Sequence, residues 1–363
     1  MKSISLGLSI KVLLFLFLLV IGLYYADSIL IPFFFGVLLA MLLRPVADKL
    51  EQWTNRGISS TLSVLLFFVI SSGVFILFLN QLGLFVDDLP QLQEQLVKHL
   101  RAVQNFIESK LGIPYEEQVK YIEDNSQEIS ESAEKLVENV VTELMSLLIG
   151  FLLVHIYIFL MLLNRSKYTL FIKKVLPEKN HEKTRDLVEK ISRVANQYLW
   201  GRIKVMSVLA VLYVILFLAF DIKYLILLTV VGTVITVIPY IGPFISGLLP
   251  IIVVLLTGYS LTEIMLFTTF IVIIQLIESY VLEPVILGSE VNLSPLAIIL
   301  IVIIGNSIWG IAGMIIFVPL VAMVKIYFDN VPHLQSYGEL IGSNKNTKHW
   351  PKMLMQKFKS IIN

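Results

Sequence analysis

Apolar residues gather along this chain in runs, and the runs are long. About 18 or more consecutive apolar residues cross a hydrocarbon core of about 30 Å as an α-helix. Leu6–Ala26 and Leu62–Leu84 meet that length with one charge between them, Lys11, whose stem reaches the interface from near the start of the first run. Tyr24 spoils the small-residue cleavage pattern that a signal peptide would need there. Asp27–Ser28 interrupts the pattern, and Ile29–Leu43 follows as a shorter run closed by Arg44–Pro45. Leu144–Leu163 makes a fourth span with His155 near its middle. From Val205 to Tyr327 the chain is almost continuously apolar, with polar breaks at Asp221–Lys223, Pro239–Pro243, Gly258–Glu263, Glu283–Pro295 and Gly305–Gly313. Leu293–Met323 is long for one straight span and short for two, and a hairpin turning at Gly305–Asn306–Ser307 would accommodate it. The pattern predicts an all-α integral membrane protein of about eight membrane segments, some of them broken or re-entrant.

Between the spans the spacing changes. Over Asp87–Glu143 apolar residues recur at helical intervals, as in Leu89, Leu92, Leu96, Leu100, Val103 and Ile107, and Gly112–Pro114 divides two helices. This predicts a small amphipathic helical subdomain outside the bilayer. Leu187, Ile191, Val194 and Tyr198 lie on one face of an amphipathic helix that leads into the next span. The chain therefore divides into a three-segment region (1–86), the acidic subdomain (87–143), a fourth span (144–164), a connector (165–204), a second membrane region (205–327) and a tail (328–363).

Composition agrees with a membrane protein. Of 363 residues, 57% are apolar and 15% charged, against about 45–50% and about 25% in soluble proteins. The formal net charge of +1 speaks against a nucleic-acid partner. It is, however, a cancellation. The subdomain carries thirteen acidic and five basic residues, and the connector eleven basic and four acidic. Basic loops stay in the cytoplasm, which places the connector inside, the acidic subdomain outside and the N-terminus inside. The stretch from Lys325 onward, with six lysines and two acids, argues for an inside C-terminus. Such a chain belongs in a membrane as a multi-pass protein, with the lipid bilayer as its first partner.

Candidate chemistry is sparse. Cysteine is absent, the five histidines lack ligand spacing, and no phosphate-cradling G-x-x-x-x-G-K-[ST] run occurs. No metal, cofactor or catalytic site is expected, and the chain does not read as an enzyme. Two features stand out. Pro239 and Pro243 remove backbone donors around Tyr240 and Gly242, and a broken helix at membrane depth is tolerated where protein or a water-filled cavity satisfies the freed groups. Transporters use such half-helix ends to bind substrates and ions. Gln275, Glu278 and Ser279 stand at i, i+3 and i+4 in an otherwise apolar run, and an acidic residue there marks a pathway or proton relay. Glu283 reads as a span-end residue, Asp221 and Lys223 as a solvated turn, Glu263 as an N-terminal acid behind Ser260, and His155 as a packing residue.

These residues also carry a resemblance. Tyr198-x-x-Gly201-Arg202, Ile238-Pro239-Tyr240-Ile241-Gly242-Pro243, Gln275 with Glu278, Pro284 with Gly288, Leu293-Ser294-Pro295, and Gly305 followed by Gly310-Ile311-Ala312-Gly313-Met314 and Pro319 are similar to motifs of the autoinducer-2 exporter family of PerM-like bacterial permeases. The layout of three spans, insert, fourth span, basic connector and motif-bearing half is similar as well. Ser294 departs from it, standing where a histidine often precedes the proline, and so does Glu283 before Pro284. The resemblance implies a secondary transporter that admits homo-oligomeric assembly, and family members have been linked both to a furanosyl signalling molecule and to sodium–proton exchange.

Three readings follow. The first is an exporter of a small polar solute driven by a proton or sodium gradient, with Tyr240, Gln275 and Ser279 as polar contacts. The second is a sodium(lithium)–proton antiporter with Glu278 as its titrating carboxylate. From a different class, a non-transporting membrane scaffold would use the acidic subdomain to bind a partner.

Overall fold

The computed structural model describes residues 6–88, 147–175, 181–287 and 292–343, together with Gln91 and Gln95. Almost all of the acidic subdomain, Gly288 and the tail beyond Ser343 lie outside the described residues. Every element described is helical, and a single antiparallel bridge joins Leu293 to Gly342.

α1 (Leu6–Tyr25) is separated from α2 (Asp27–Glu51) by Ala26, whose ψ of 17° leaves the helical region. The second apolar run does not close at Arg44–Pro45: α2 continues through Pro45 to Glu51. A proline inside a helix removes one donor and crowds the preceding turn. The residues beyond it nevertheless have reasons to stay helical. Ala47 is fully buried, and Asp48 and Glu51 both meet Arg165. α3 (Arg56–Asp87) begins under Asn55, whose side chain accepts from the Ile58 amide at 2.9 Å. α4 (Leu147–Leu163) bends by 71° at Asn164 into α5 (Arg165–Val175). His155 in α4 is buried, with Nδ1 2.7 Å from the Phe151 carbonyl and Nε2 3.2 Å from Ser71 Oγ, as a packing histidine would be.

α6 (His181–Ala219) runs unbroken from the basic connector into a membrane span over 39 residues. α7 (Leu225–Ile235) and α8 (Ile241–Leu256) follow, about 16 and 24 Å long at 1.5 Å per residue. Neither reaches across about 30 Å of hydrocarbon. They form a hairpin: Gly232 approaches Ser246, and Gly242 lies against the backbone of Ile235 and Thr236. α9 (Leu261–Ile277), opened by a Ser260–Glu263 capping box, passes directly into a π-helical segment, Glu278–Leu287.

α10 (Pro295–Asn330) is a second hairpin. Ser294 caps it by accepting from the Ala297 amide, with Pro295 in the first turn. Trp309 and Gly310 leave the helical region, Gly310 at φ 57°. The backbones of Gly305 and Gly313 then touch, and Ala297, Ile301, Val318 and Ala322 share one buried cluster, as two antiparallel limbs require. The expected turn at Gly305–Ser307 is therefore shifted to Trp309–Gly310. Gly305 supplies the close crossing, and Gly310 the positive φ that a residue with a Cβ adopts only under strain. α11 (Gln335–Ile341) returns to the hairpin's open end, where the Ser294 amide donates to the Ile341 carbonyl at 2.9 Å. This part of the basic tail is folded against the hairpin, and Lys325 is buried beside Asp329.

Side-chain contacts sort the helix ends onto two faces. Asp48, Glu51, Arg56 and Arg165 gather where α2 ends, α3 begins and α4 ends. At the other face Asp88, after α3, takes the Lys223 ammonium at 2.6 Å and the Tyr224 hydroxyl at 2.6 Å, between α6 and α7. The α7–α8 hairpin opens at this second face. The α10 hairpin opens at the first, and its turn reaches back to α1 through Trp309 Nε1, which donates to the Leu23 carbonyl at 2.8 Å. Among the described residues five helical stretches are long and apolar enough to cross a membrane, six counting the bent α4–α5 pair. One of the five is α10, which folds back on itself at Trp309–Gly310, and the short α7 and α8 supply partly crossing segments.

Candidate functional site

Gln275 in α9 is joined to the α7–α8 hairpin through two polar side chains on other helices, Tyr213 and Ser246. Gln275 Nε2 donates to Tyr213 Oη at 2.8 Å and to Ser246 Oγ at 3.0 Å. Tyr213, on α6, lies 3.3 Å from Ser246, whose hydroxyl donates to the Pro243 carbonyl at 3.0 Å. That carbonyl belongs to the first turn of α8, so the α7–α8 hairpin is tied to Gln275 through one serine. Gly247 keeps the space open, because a Cβ there would stand 3.3 Å from the Gln275 side chain. Gln275 Oε1 is buried without a protein donor, leaving one strong acceptor beside the cluster unused.

One turn beyond Gln275, the helix changes register. Glu278 is fully buried, and neither of its carboxylate oxygens has a protein partner. A buried carboxylate without a donor is costly, and each such group in a folded protein calls for an explanation. Close by, Arg202 Nη1 donates to Glu283 Oε1 at 2.7 Å, while Arg202 Nε and Nη2 are buried and unpartnered. Gly201 permits this approach, since a Cβ at that position would press to 2.9 Å from the Leu287 side chain. Glu283 is thus one half of an ion pair with a buried arginine, a role its place near the end of a span did not disclose.

The expected site residues divide accordingly. Pro243, Gln275 and Glu278 line the polar region where α6, α8 and α9 meet. Gly242 is buried at the hairpin crossing, and Pro239 begins the final turn before it. Tyr240 adopts φ 65°, rare for a residue with a Cβ and a mark of strain at working sites. The residue is 54% exposed at the hairpin tip, where the Glu283 charge acts on it, and it is not in the Gln275 cluster. Ser279 points to the exposed side. It sits next to Glu278 in the π segment, and adjacent residues of a helix do not share a face, so it leaves the buried side. Pro284 lies within the π segment, and Gly305, Gly310, Gly313 and Pro319 shape the α10 hairpin. Tyr213 and Ser246 were not singled out from sequence. Each is a lone polar residue in an apolar run, and its meaning comes from the partner on another helix.

Two cavities flank this region. An apolar one of about 360 Å³ lies between α3, α4, α7 and α10, lined by Phe75, Phe151, Val234, Ile238 and Ile311, with Ser71 as its polar edge. It offers nothing to orient a polar solute. The other, of about 410 Å³, opens at the second face between Asp88, Lys223, Tyr224, Tyr259 and Glu263, at the mouth of the α7–α8 hairpin. Asp88 is held below the usual carboxylate range there, first by its bond with the Lys223 ammonium and then by the Tyr224 hydroxyl. Among the described residues no group of three metal-ligating side chains comes together.

Residues 13–333 match the AI-2E family transporter profile. The chain is 27% identical to the Bacillus subtilis protein YueF over 335 residues, covering 87% of this chain and 88% of that one. It is 24% identical to Bacillus subtilis YrrI, covering 82% and 85%. It is 23% identical to the AI-2 transport protein TqsA of Escherichia coli over 347 residues, covering 92% and 96%. With a profile match over most of its length, the chain belongs to the AI-2E transporter family.

Proposed function

We propose that this protein is a secondary transporter that exports a small polar solute across the bacterial inner membrane, coupled to the proton gradient through Glu278. The observation that carries the reading is Glu278 itself: a fully buried carboxyl without a protein partner, one helical turn from the Gln275–Tyr213–Ser246 cluster. A group of this kind in a membrane span is a functional site by default. The free Gln275 carbonyl and the two hydroxyls are matched to hydroxyl groups on a neutral solute. That chemistry agrees with the AI-2 transport for which the Escherichia coli relative is named. The basic connector supports the first face as the cytoplasmic one, and in that orientation the α7–α8 hairpin opens to the outside and α10 to the inside. Hairpins entering from opposite faces give alternating access two places to open around one polar site.

Sodium(lithium)–proton exchange is the second reading, and Glu278 favours it, because a single buried carboxylate can take either cation. Proteoliposomes with an internal pH dye separate the two. Proton release on addition of sodium or lithium, abolished by Glu278→Gln, supports exchange. Proton movement only with a hydroxylated furanosyl solute supports solute export. Wild-type proton movement in Glu278→Gln removes Glu278 from either mechanism.

A further inference from the structure

The π segment does something that an α-helix would not. In a π-helix the hydrogen bond joins i to i+5, so residues five apart fall on one face. In an α-helix they would stand about 140° apart. Glu278 and Glu283 are five apart and open and close one such turn. Arg202 is the cation whose field acts on Glu278, and it is the cation bonded to Glu283. Its guanidinium uses one nitrogen and keeps Nε and Nη2 buried without acceptors, while Glu278 keeps two oxygens buried without donors. Two unpartnered guanidinium nitrogens and two unpartnered carboxylate oxygens are thus buried within electrostatic reach of one another.

The two carboxylates differ in what they can do alone. The Glu283 side chain is 36% exposed and can be hydrated when the guanidinium turns away. Glu278 is fully buried and has no such recourse. With a proton on Glu278, the Arg202–Glu283 pair is neutral and complete. When the proton leaves, the same three groups carry one net negative charge, and its least hydrated part is Glu278. The guanidinium fork suits a two-oxygen acceptor. Among the described residues the other ionisable groups facing this region are phenols, Tyr198 and Tyr213 on α6 and Tyr240 at the hairpin tip.

We propose that Arg202 is the internal counter-ion of the transport cycle, turning its free donors to Glu278 when Glu278 is ionised and resting on Glu283 alone when Glu278 holds a proton. The inference rests on the reading of Glu278 as the coupling carboxyl. It makes Arg202 and Glu283 positioning residues that set the pH at which coupling occurs, without contact with the solute. The proton itself passes between the Glu278 carboxyl and water on one side of the membrane or the other. The arginine only follows its charge.

The test needs no knowledge of the solute. Infrared difference spectra of the full-length protein in lipid, recorded across a pH titration, contain a protonated-carboxyl band that Glu278→Gln deletes. Its midpoint is then measured in two further variants. Arg202→Gln removes the cation that would receive ionised Glu278, and the midpoint is expected to rise by about one pH unit or more. Glu283→Gln removes the competing acceptor, and the midpoint is expected to fall. Opposite shifts are the signature, since a general loosening of the site would move both midpoints the same way. Should Arg202→Gln not fold, Arg202→Lys keeps the charge, loses the fork and is expected to give a smaller rise. Midpoints that stay in place, or move together, overturn the role of Arg202 while leaving Glu278 as the coupling residue. Absence of any band that Glu278→Gln removes overturns both.

Discussion

Replacing Gly242 by alanine tests the hairpin geometry on which the polar site depends. An added Cβ would stand 2.2 Å from the Ile235 carbonyl oxygen, 2.6 Å from Thr236 Cα and 2.9 Å from the Ile235 carbonyl carbon. Carbon atoms rest about 3.5–4.0 Å apart, so the turn must open by about 1 Å. All three neighbours are backbone, so no side-chain rotation relieves the overlap. Overpacking costs about 1–3 kcal/mol, occasionally more, and a backbone clash belongs at the upper end. About 3 kcal/mol is roughly a hundredfold in the folded-to-unfolded ratio. Gly73 in α3 is the control, because nothing lies within 4 Å of its Cβ position. Alanine there is expected to stabilise by about 0.5–1 kcal/mol through helix preference alone. Thermal unfolding of the purified protein, followed by circular dichroism, compares the two variants. Gly242→Ala is expected to melt well below the wild type and Gly73→Ala at or above it. Equal melting temperatures would refute the close α7–α8 crossing.

Gln275→Leu removes both donors that join Tyr213 and Ser246. At about 1–3 kcal/mol for groups left unsatisfied, solute flux in proteoliposomes is expected to fall tenfold or more, with the fold retained by circular dichroism. Asp88 has a folded-state pKa below its ordinary 3.8. Its contribution is therefore complete above the unfolded value and is lost as pH falls through the folded one. Melting temperatures measured from neutral pH to below 3.8 are expected to drop on the acid side in the wild type and to drop less in Asp88→Asn. Trp309→Phe deletes the indole bond to the Leu23 carbonyl that holds the α10 turn, and a loss of about 0.5–1.5 kcal/mol should appear as a lower melting temperature.

The parts of this architecture that were legible in the sequence are those in which local chemistry decides alone. Apolar runs gave the spans, Ser260 with Glu263 gave the start of α9, and two prolines around Gly242 gave the break between α7 and α8. Local pattern misled where tertiary contacts decide. Arg44–Pro45 reads as a helix end, yet Arg165 arrives from α4–α5 to meet Asp48 and Glu51, and α2 goes on. Gly305 reads as a turn, yet it is the surface against which Gly313 crosses, and the positive φ falls at Gly310. Gln275 and Glu278 were visible because a polar residue in an apolar run is conspicuous. Ser279 was grouped with them by α-helical spacing, and the structure leaves it outside. Tyr213, Ser246 and the Arg202–Glu283 pair could not be read from one strand of sequence, because each is defined by a partner at least 29 residues away.

The most direct measurement compares two modes of solute movement in one set of proteoliposomes. Counterflow at equal pH on both sides needs only the solute site, whereas accumulation driven by a pH gradient needs the coupling carboxyl as well. Glu278→Gln is expected to retain counterflow and lose gradient-driven accumulation. Accumulation at the wild-type level in Glu278→Gln would contradict the account.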